Sequence, residues 1–139
     1  MVCIYCSRET LVTNSRPKIH PLAVWRRRQC LSCRKHFTTN ELPVYEKSLR
    51  VVGMSGNVSA FNRDRMLLSL FKSLGHRPNS IDAASAVTNT VLSKLVNKKY
   101  LTEDTLLAQD IAKVSFVVLK RFDHLAAATY KAYHQAILK

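Results

Sequence analysis

Cys3-Ile4-Tyr5-Cys6 and Cys30-Leu31-Ser32-Cys33 are the stretches on which the fold turns. They hold all four cysteines of the 139-residue chain, as two Cys-x2-Cys pairs with 23 residues between them. Two-residue spacing lets each pair bend as a knuckle that brings both sulfurs to one ion at about 2.3 Å, and two knuckles complete a tetrahedron. Four soft thiolates favour Zn²⁺ over hard cations, and a filled shell leaves no position for an activated water. The expected role of Cys3, Cys6, Cys30 and Cys33 is therefore structural zinc binding. Two other readings compete. A redox Cys-x2-Cys normally stands singly near a helix start in a thioredoxin-like context, which is missing here. Disulfides need an oxidising compartment, and no charged start leads into an apolar run near Met1, which predicts an intracellular protein.

Working outward from the knuckles, residues 1–46 carry three of the four prolines and no helical period. Strands are expected near Thr10–Ser15, Ala23–Arg28 and His36–Thr39. Forty-odd residues cannot bury a self-sufficient core, so the metal must staple them, and folding here should be coupled to metal binding. Trp25 is expected to anchor the miniature core.

The texture changes after Glu46. Ser48–Val52 alternates, Met54-Ser55-Gly56-Asn57 follows, and Val58–Phe61 reads as the second strand of a β-hairpin. A helix capped by Asn62 should bury Met66, Leu67, Leu70, Phe71 and Leu74 and end at Gly75. A second follows Ser80, with Ile81, Ala84, Val87, Val91 and Leu95 as its stripe. Thr102 is expected to cap a third, with Glu103 and Asp104 in its first turn and Leu107, Ile111, Val114 and Val118 buried. The last should run from about Asp123 to Leu138, with Leu125, Ala128, Ala132 and Ile137 inward. The predicted class is α+β: a small β zinc ribbon over residues 1–46, then a β-hairpin with about four helices over 47–139.

The chain has 22 Lys+Arg and 9 Asp+Glu, a formal charge of +13, and 47% hydrophobic residues. The apolar fraction argues against wholesale disorder, and no stretch approaches the ~18 apolar residues of a membrane span, so no membrane partner is expected. Residues 1–46 carry 8 basic and 3 acidic residues, the remainder 14 and 6, so both parts are basic. That balance points to nucleic acid. Trp25-Arg26-Arg27-Arg28 runs up to the second knuckle, where the metal would hold it rigid. An arginine fork takes a phosphate or the O6/N7 edge of guanine. Strand alternation would send Arg26 and Arg28 to one face and Arg27 to the other. Arg16, Lys18, Arg34, Lys35 and His36 would extend the surface.

At this point the sequence resembles the NrdR family, bacterial repressors of ribonucleotide reductase genes. The likeness rests on the first knuckle, Asn14-Ser15-Arg16-Pro17, Arg26-Arg27-Arg28-Gln29-Cys30-Leu31-x-Cys33 and Lys35-x-Phe37-Thr38-Thr39-x-Glu41, and continues through Val51-Val52, Phe61-Asn62 and Arg77-Pro78-x-Ser80. The resemblance implies a DNA-binding zinc ribbon joined to an ATP-cone, a small domain that binds ATP or dATP and sets oligomeric state. It implies that Arg16, Arg26, Arg27 and Arg28 contact double-stranded operator DNA. Lys35 joins them as a DNA-binding candidate. It further implies nucleotide contacts by Val52, Phe61 and Arg65, ATP or dATP as effector, a homo-oligomer, and a cytoplasmic, nucleoid-associated location in a bacterium. Two departures stand out. Where the family has a lysine after the apolar strand, this chain has Gly53-Met54-Ser55-Gly56, and Arg65 stands where another lysine is usual. The terminal helix retains only Ala126–Ala128, Thr129, Tyr130 and Tyr133 of the family's aromatic and arginine pattern.

The alternative is an RNA- or ribosome-associated zinc ribbon with a helical interaction domain. Single-strand RNA readers display exposed aromatics, and this ribbon has only Tyr5, Trp25, Phe37 and Tyr45. Enzymatic activity is not expected: His20, His36, His76, His124 and His134 are scattered, the cysteines are committed to metal, and no paired carboxylates are in place.

Overall fold

The computed structural model describes residues 1–19 and 22–139, so His20 lies outside the described residues. The chain forms two compact units, Met1–Pro43 and Val44–Lys139. The division falls just before the expected Glu46, because Tyr45 and Leu49 are buried in the core of the second unit.

In the first unit, β1 (Thr10–Lys18), β2 (Ala23–Cys30) and β3 (His36–Glu41) form an antiparallel sheet with β2 central. A bulge between Val12 and Asn14 interrupts β1, and the Thr13 hydroxyl there donates to the Arg27 carbonyl. The buried cluster is only Cys3, Cys30 and Phe37, with Cys33 against it. Trp25, expected at the centre of this core, is instead half-buried on the sheet opposite Arg16 and Asn40. Register places the indole on the stretch of sheet shared with Arg16, away from the end where the cysteines meet.

The second unit opens with a single helical turn, α1 (Tyr45–Ser48), then the hairpin strands β4 (Arg50–Val52) and β5 (Val58–Ala60). Gly56 takes φ +80 in the turn, a left-handed value that suits glycine. Gly53 serves differently: a Cβ there would stand 2.2 Å from Asn57 Oδ1. The next helix, α2 (Arg63–Ser73), begins as expected, with Asn62 Oδ1 accepting from the Arg65 amide at 2.7 Å. It is followed by α3 (Ser80–Leu95), whose stripe of Ala84, Val87, Val91 and Leu95 is buried while Ile81 is exposed.

Thr102 does not start a helix. Thr102 and Thr105 close a tight turn with Glu103 at φ +56, and the chain continues into β6 (Thr105–Leu107), which pairs in parallel with β4. A Thr-Glu-Asp segment suits a turn as well as a helix start. The open edge of β4 decides between them, because pairing satisfies backbone groups that an early helix would leave unmade. Asp104 then accepts from Arg50 through backbone and side chain. The helix α4 (Ala108–Phe122) therefore begins at Ala108, with Val114 and Val118 buried, Ile111 partly so and Leu107 exposed.

The last helix, α5 (His124–Tyr133), is shorter than expected and turned on its axis. Ala126, Ala127 and Tyr130 face the core, while Leu125, Ala128 and Ala132 are exposed and Ile137 is half-buried beyond the helix end. Asp123 sets that orientation. Its side chain caps α5 at the Ala126 amide and accepts from Arg77 at 2.7 Å and from His76 at 2.9 Å. These donors hold the Asp123 carboxyl well below the usual carboxylate range, the Ala126 amide contributing most. Leu70, Leu74, Ala84, Val91, Leu95, Leu106, Leu119 and Ala126 form the fully buried centre.

Candidate metal centre and nucleic-acid interface

The two knuckles converge: one sulfur from each of Cys3, Cys6, Cys30 and Cys33 lies within 4.8 Å of all the others. Cys3 and Cys33 are 3.7 Å apart and Cys6 and Cys30 3.4 Å, close to the edge of about 3.8 Å for a tetrahedron with Zn–S bonds of about 2.3 Å. None is in a disulfide. Local backbone makes the convergence possible. Ser7 and Arg34, each just after the second cysteine of its knuckle, take left-handed φ values of 58 and 62. The Tyr5 amide donates to Cys3 Sγ and the Cys33 amide to Cys30 Sγ, both at 3.4 Å.

Those amides favour thiolate, and the Cys33 amide leads in lowering the Cys30 thiol to about 6. At Cys33 the Lys35 amide acts in the same direction, but desolvation and the three neighbouring sulfurs outweigh it and raise the thiol to about 11. Four thiolates cannot crowd together unaided, and a divalent cation resolves the conflict. The donor set and spacing fit Zn²⁺, which would lock the ends of β1 and β2 to the turn before β3.

Register then distributes the basic run. On one face Arg26 pairs with Glu41, and Arg28 Nε donates to Thr39 Oγ1 at 3.3 Å. On the other, Arg27 lies between Asn14 and Thr38, and Arg16 faces Trp25 two pairs further along. Arg16 and Arg27 have no ion-pair partner among the described residues. Lys35 follows the second knuckle by two residues, its ammonium 4.8 Å from the centre of the Tyr5 ring.

Residues 1–41 match the family described as "Transcriptional repressor NrdR-like, N-terminal domain", a zinc ribbon. Over the longer chain, a transcriptional repressor NrdR of Alkaliphilus metalliredigens is 34% identical across 96% of this chain and 86% of its own. The chain belongs to the NrdR family. Another NrdR, from Pelotomaculum thermopropionicum, is 31% identical across 98% of this chain and 82% of its own, and one from Thermotoga neapolitana is 28% identical across 97% and 85%. The NrdR ribbon is thus built here on four converging cysteines. These relatives are named as transcriptional repressors.

The second unit of this NrdR chain contains a cavity of about 200 Å³ between the hairpin, α2, α4 and α5. Phe61 and Arg65 line it, and so does Val51 rather than Val52, whose side chain points to the other face of the strand. It opens beside a groove of about 940 Å³ that shares Asn62, Arg65, Ser69 and His134 and adds Lys72 together with the carboxylate of Asp64. Arg65, Ser69 and Lys72 follow helical spacing on α2, a signal the sequence offered. His134 carried no such signal, since it comes from beyond α5. Its ring stacks on Tyr130 at 4.0 Å, Nδ1 donates to the Tyr130 carbonyl at 2.9 Å, and Nε2 stands 3.2 Å from Ser69 Oγ. In the neutral tautomer this leaves Nε2 to accept from the Ser69 hydroxyl.

Proposed function

We propose that this chain is a zinc-dependent repressor whose ribbon reads double-stranded DNA, controlled through adenine nucleotide binding in the helical unit and a change of oligomeric state. One observation carries the DNA reading: a metal-pinned sheet presents Arg16 and Arg27 on one face without carboxylate partners, beside Trp25. Arg16 and Arg27 make the base or phosphate contacts, Lys35 adds a phosphate contact next to the metal, and Arg26 and Arg28, steadied by Glu41 and Thr39, reach the backbone with their remaining donors. Linked ribbons in an oligomer bind far better than one when their spacing matches the DNA sites, so assembly is the lever of control. The protein acts in the cytoplasm, at the nucleoid, on genes of the ribonucleotide reductase class.

The nucleotide reading is supported by the cavity beside Phe61 and by the cations at the rim of its groove. Arg65 and Lys72 supply the positive charge that phosphates need, in place of the family lysine replaced around Gly53. Val52 contributes through its backbone at the hairpin.

The test is binding of zinc-loaded protein to fragmented genomic DNA at about 150 mM salt, with and without ATP or dATP, because low salt rewards any polycation. The expected result is enrichment of a few repeated sites that shifts with nucleotide, and its loss in the Arg16→Ala/Arg27→Ala variant. Enrichment indifferent to nucleotide would remove the sensing role. No selective enrichment, with stronger binding to structured RNA at the same salt, would replace the repressor reading by the RNA-associated one.

A further inference from the structure

Residues 44–139 carry 14 Lys+Arg against 7 Asp+Glu, a net of +7, and the excess is not spread evenly. Six of the cations, Lys94, Lys98, Lys99, Lys113, Lys120 and Arg121, lie at the end of α3, just after it, or on α4. A cleft of about 290 Å³ there is lined by Lys94, Asn97, Tyr100, Lys113, Val117 and Arg121. No carboxylate lines it, and none of the six cations has an ion-pair partner among the described residues. It shares no residue with the cavity at Phe61 and Arg65.

Helix dipoles account for part of this placement, since Lys94, Lys120 and Arg121 stand in last turns, where positive charge is favoured. They do not account for Lys113, which lies in the N-terminal half of α4 and aligns with Val117 and Arg121 at four-residue intervals. Like charges facing one another across a cleft repel, and an anion between them removes that cost. The remaining lining narrows the anion's chemistry. The Tyr100 hydroxyl is a donor suited to phosphate oxygens, and Asn97 Nδ2, which donates to the Lys94 carbonyl, keeps a second N–H, whereas the Tyr100 ring packs against the core with Lys99 Nζ 5.2 Å from its centre and is not free to stack on a base.

We propose that this cleft is a second DNA-contacting surface, one that takes phosphodiester backbone without reading sequence. It rests on the reading of the protein as a DNA-binding repressor and adds to it: the helical unit itself grips DNA and contributes affinity and salt dependence, while the ribbon supplies selectivity.

The experiment compares three full-length, zinc-loaded proteins on a mixed-sequence duplex: the natural chain, Lys94→Gln/Lys113→Gln/Arg121→Gln, and an equal charge loss elsewhere, Lys47→Gln/Lys131→Gln/Lys139→Gln. Binding is followed between about 50 and 200 mM salt, where each phosphate contact adds about 0.9 to the slope of log affinity against log salt. The cleft variant should lose about 2 to 3 from that slope and the control variant less than about 1. Equal losses, or no loss in the cleft variant, would overturn the proposal. ATP titration is the second arm: a cleft variant that loses ATP affinity while keeping its DNA slope would make the site one for free nucleotide. Should the triple variant misfold by circular dichroism, the exposed single change Lys113→Glu replaces it, with an expected loss of about 1 from the slope against no loss for Lys131→Glu, and equal losses again overturning the proposal. Because the duplex is of mixed sequence, this result stands apart from genomic enrichment, so loss of selectivity and loss of the cleft contact are scored separately.

Discussion

The ribbon and the helical unit are held together by opposite means. Among the described residues of 1–43 the buried cluster is Cys3, Cys30 and Phe37, and two of these are candidate metal ligands. Residues 44–139 bury a continuous apolar centre drawn from α1 to α5 and from β6. In the first unit order comes from coordination bonds between residues distant in sequence, and in the second from area removed from water. A surface meant to present arginines at fixed spacing without a large hydrophobic interior behind it gains from the first solution.

The sharpest way to break this contrast is to remove the metal. Structural zinc is worth about 10–16 kcal/mol in small metal domains, so a chelator or Cys30→Ser should unfold the ribbon and abolish DNA binding while the helical unit keeps its thermal transition. Two-dimensional amide spectra follow both units at once, and loss of dispersion in the helical unit as well would show that the two do not stand independently. Acid should act on the ribbon in the same sense, because zinc requires thiolates and protonation competes for them.

The converse experiment targets the apolar centre. Leu106→Ala, at a fully buried position of β6, should cost about 2–5 kcal/mol. Denaturant melting would register that loss, with zinc content unchanged. A smaller effect is expected at the corner where α4 meets α5. Asp123→Ala removes a helix cap and the acceptor for Arg77, about 2 kcal/mol together. The sign of its pH dependence follows from the lowered pKa of Asp123. The stabilisation is fully present well above the unfolded value of about 3.9 and is lost progressively as pH falls from about 5 through the lower, folded one. Stability of the natural chain and of Asp123→Ala should therefore differ by the full amount above about pH 5 and converge as pH falls further. Least of all should depend on Glu41→Gln, which removes the exposed partner of Arg26; less than about 1 kcal/mol of ribbon stability is expected to go with it. A larger loss would make Arg26 a structural residue of the sheet rather than one merely steadied by it.

Legibility followed the range of the interactions involved. The four cysteines, the three strands of the ribbon, the Asn62 cap and the stripe of α3 apart from its first residue, Ile81, depend on spacing along a few residues and stand close to where the sequence predicts them. Val51 and Val52 show where local reading stops. Both belong to the same apolar strand, and only the packing of the hairpin on α4 turns Val51 toward the cavity. Trp25 is similar, since its alternation with Arg26 was plain but which side of the ribbon is filled depends on where the sulfurs meet.

The sequence by itself determined the metal, the family likeness, the mixed α+β class and the excess of positive charge, because those reside in residue types and short spacings. Tertiary structure decided what Thr102–Leu107 becomes, which face of α5 is buried, and which cations converge on one cleft. A backbone segment with two acceptable local conformations takes the one that satisfies its neighbour's unpaired groups. Charges far apart in sequence become a binding surface only when packed helices bring them to one place.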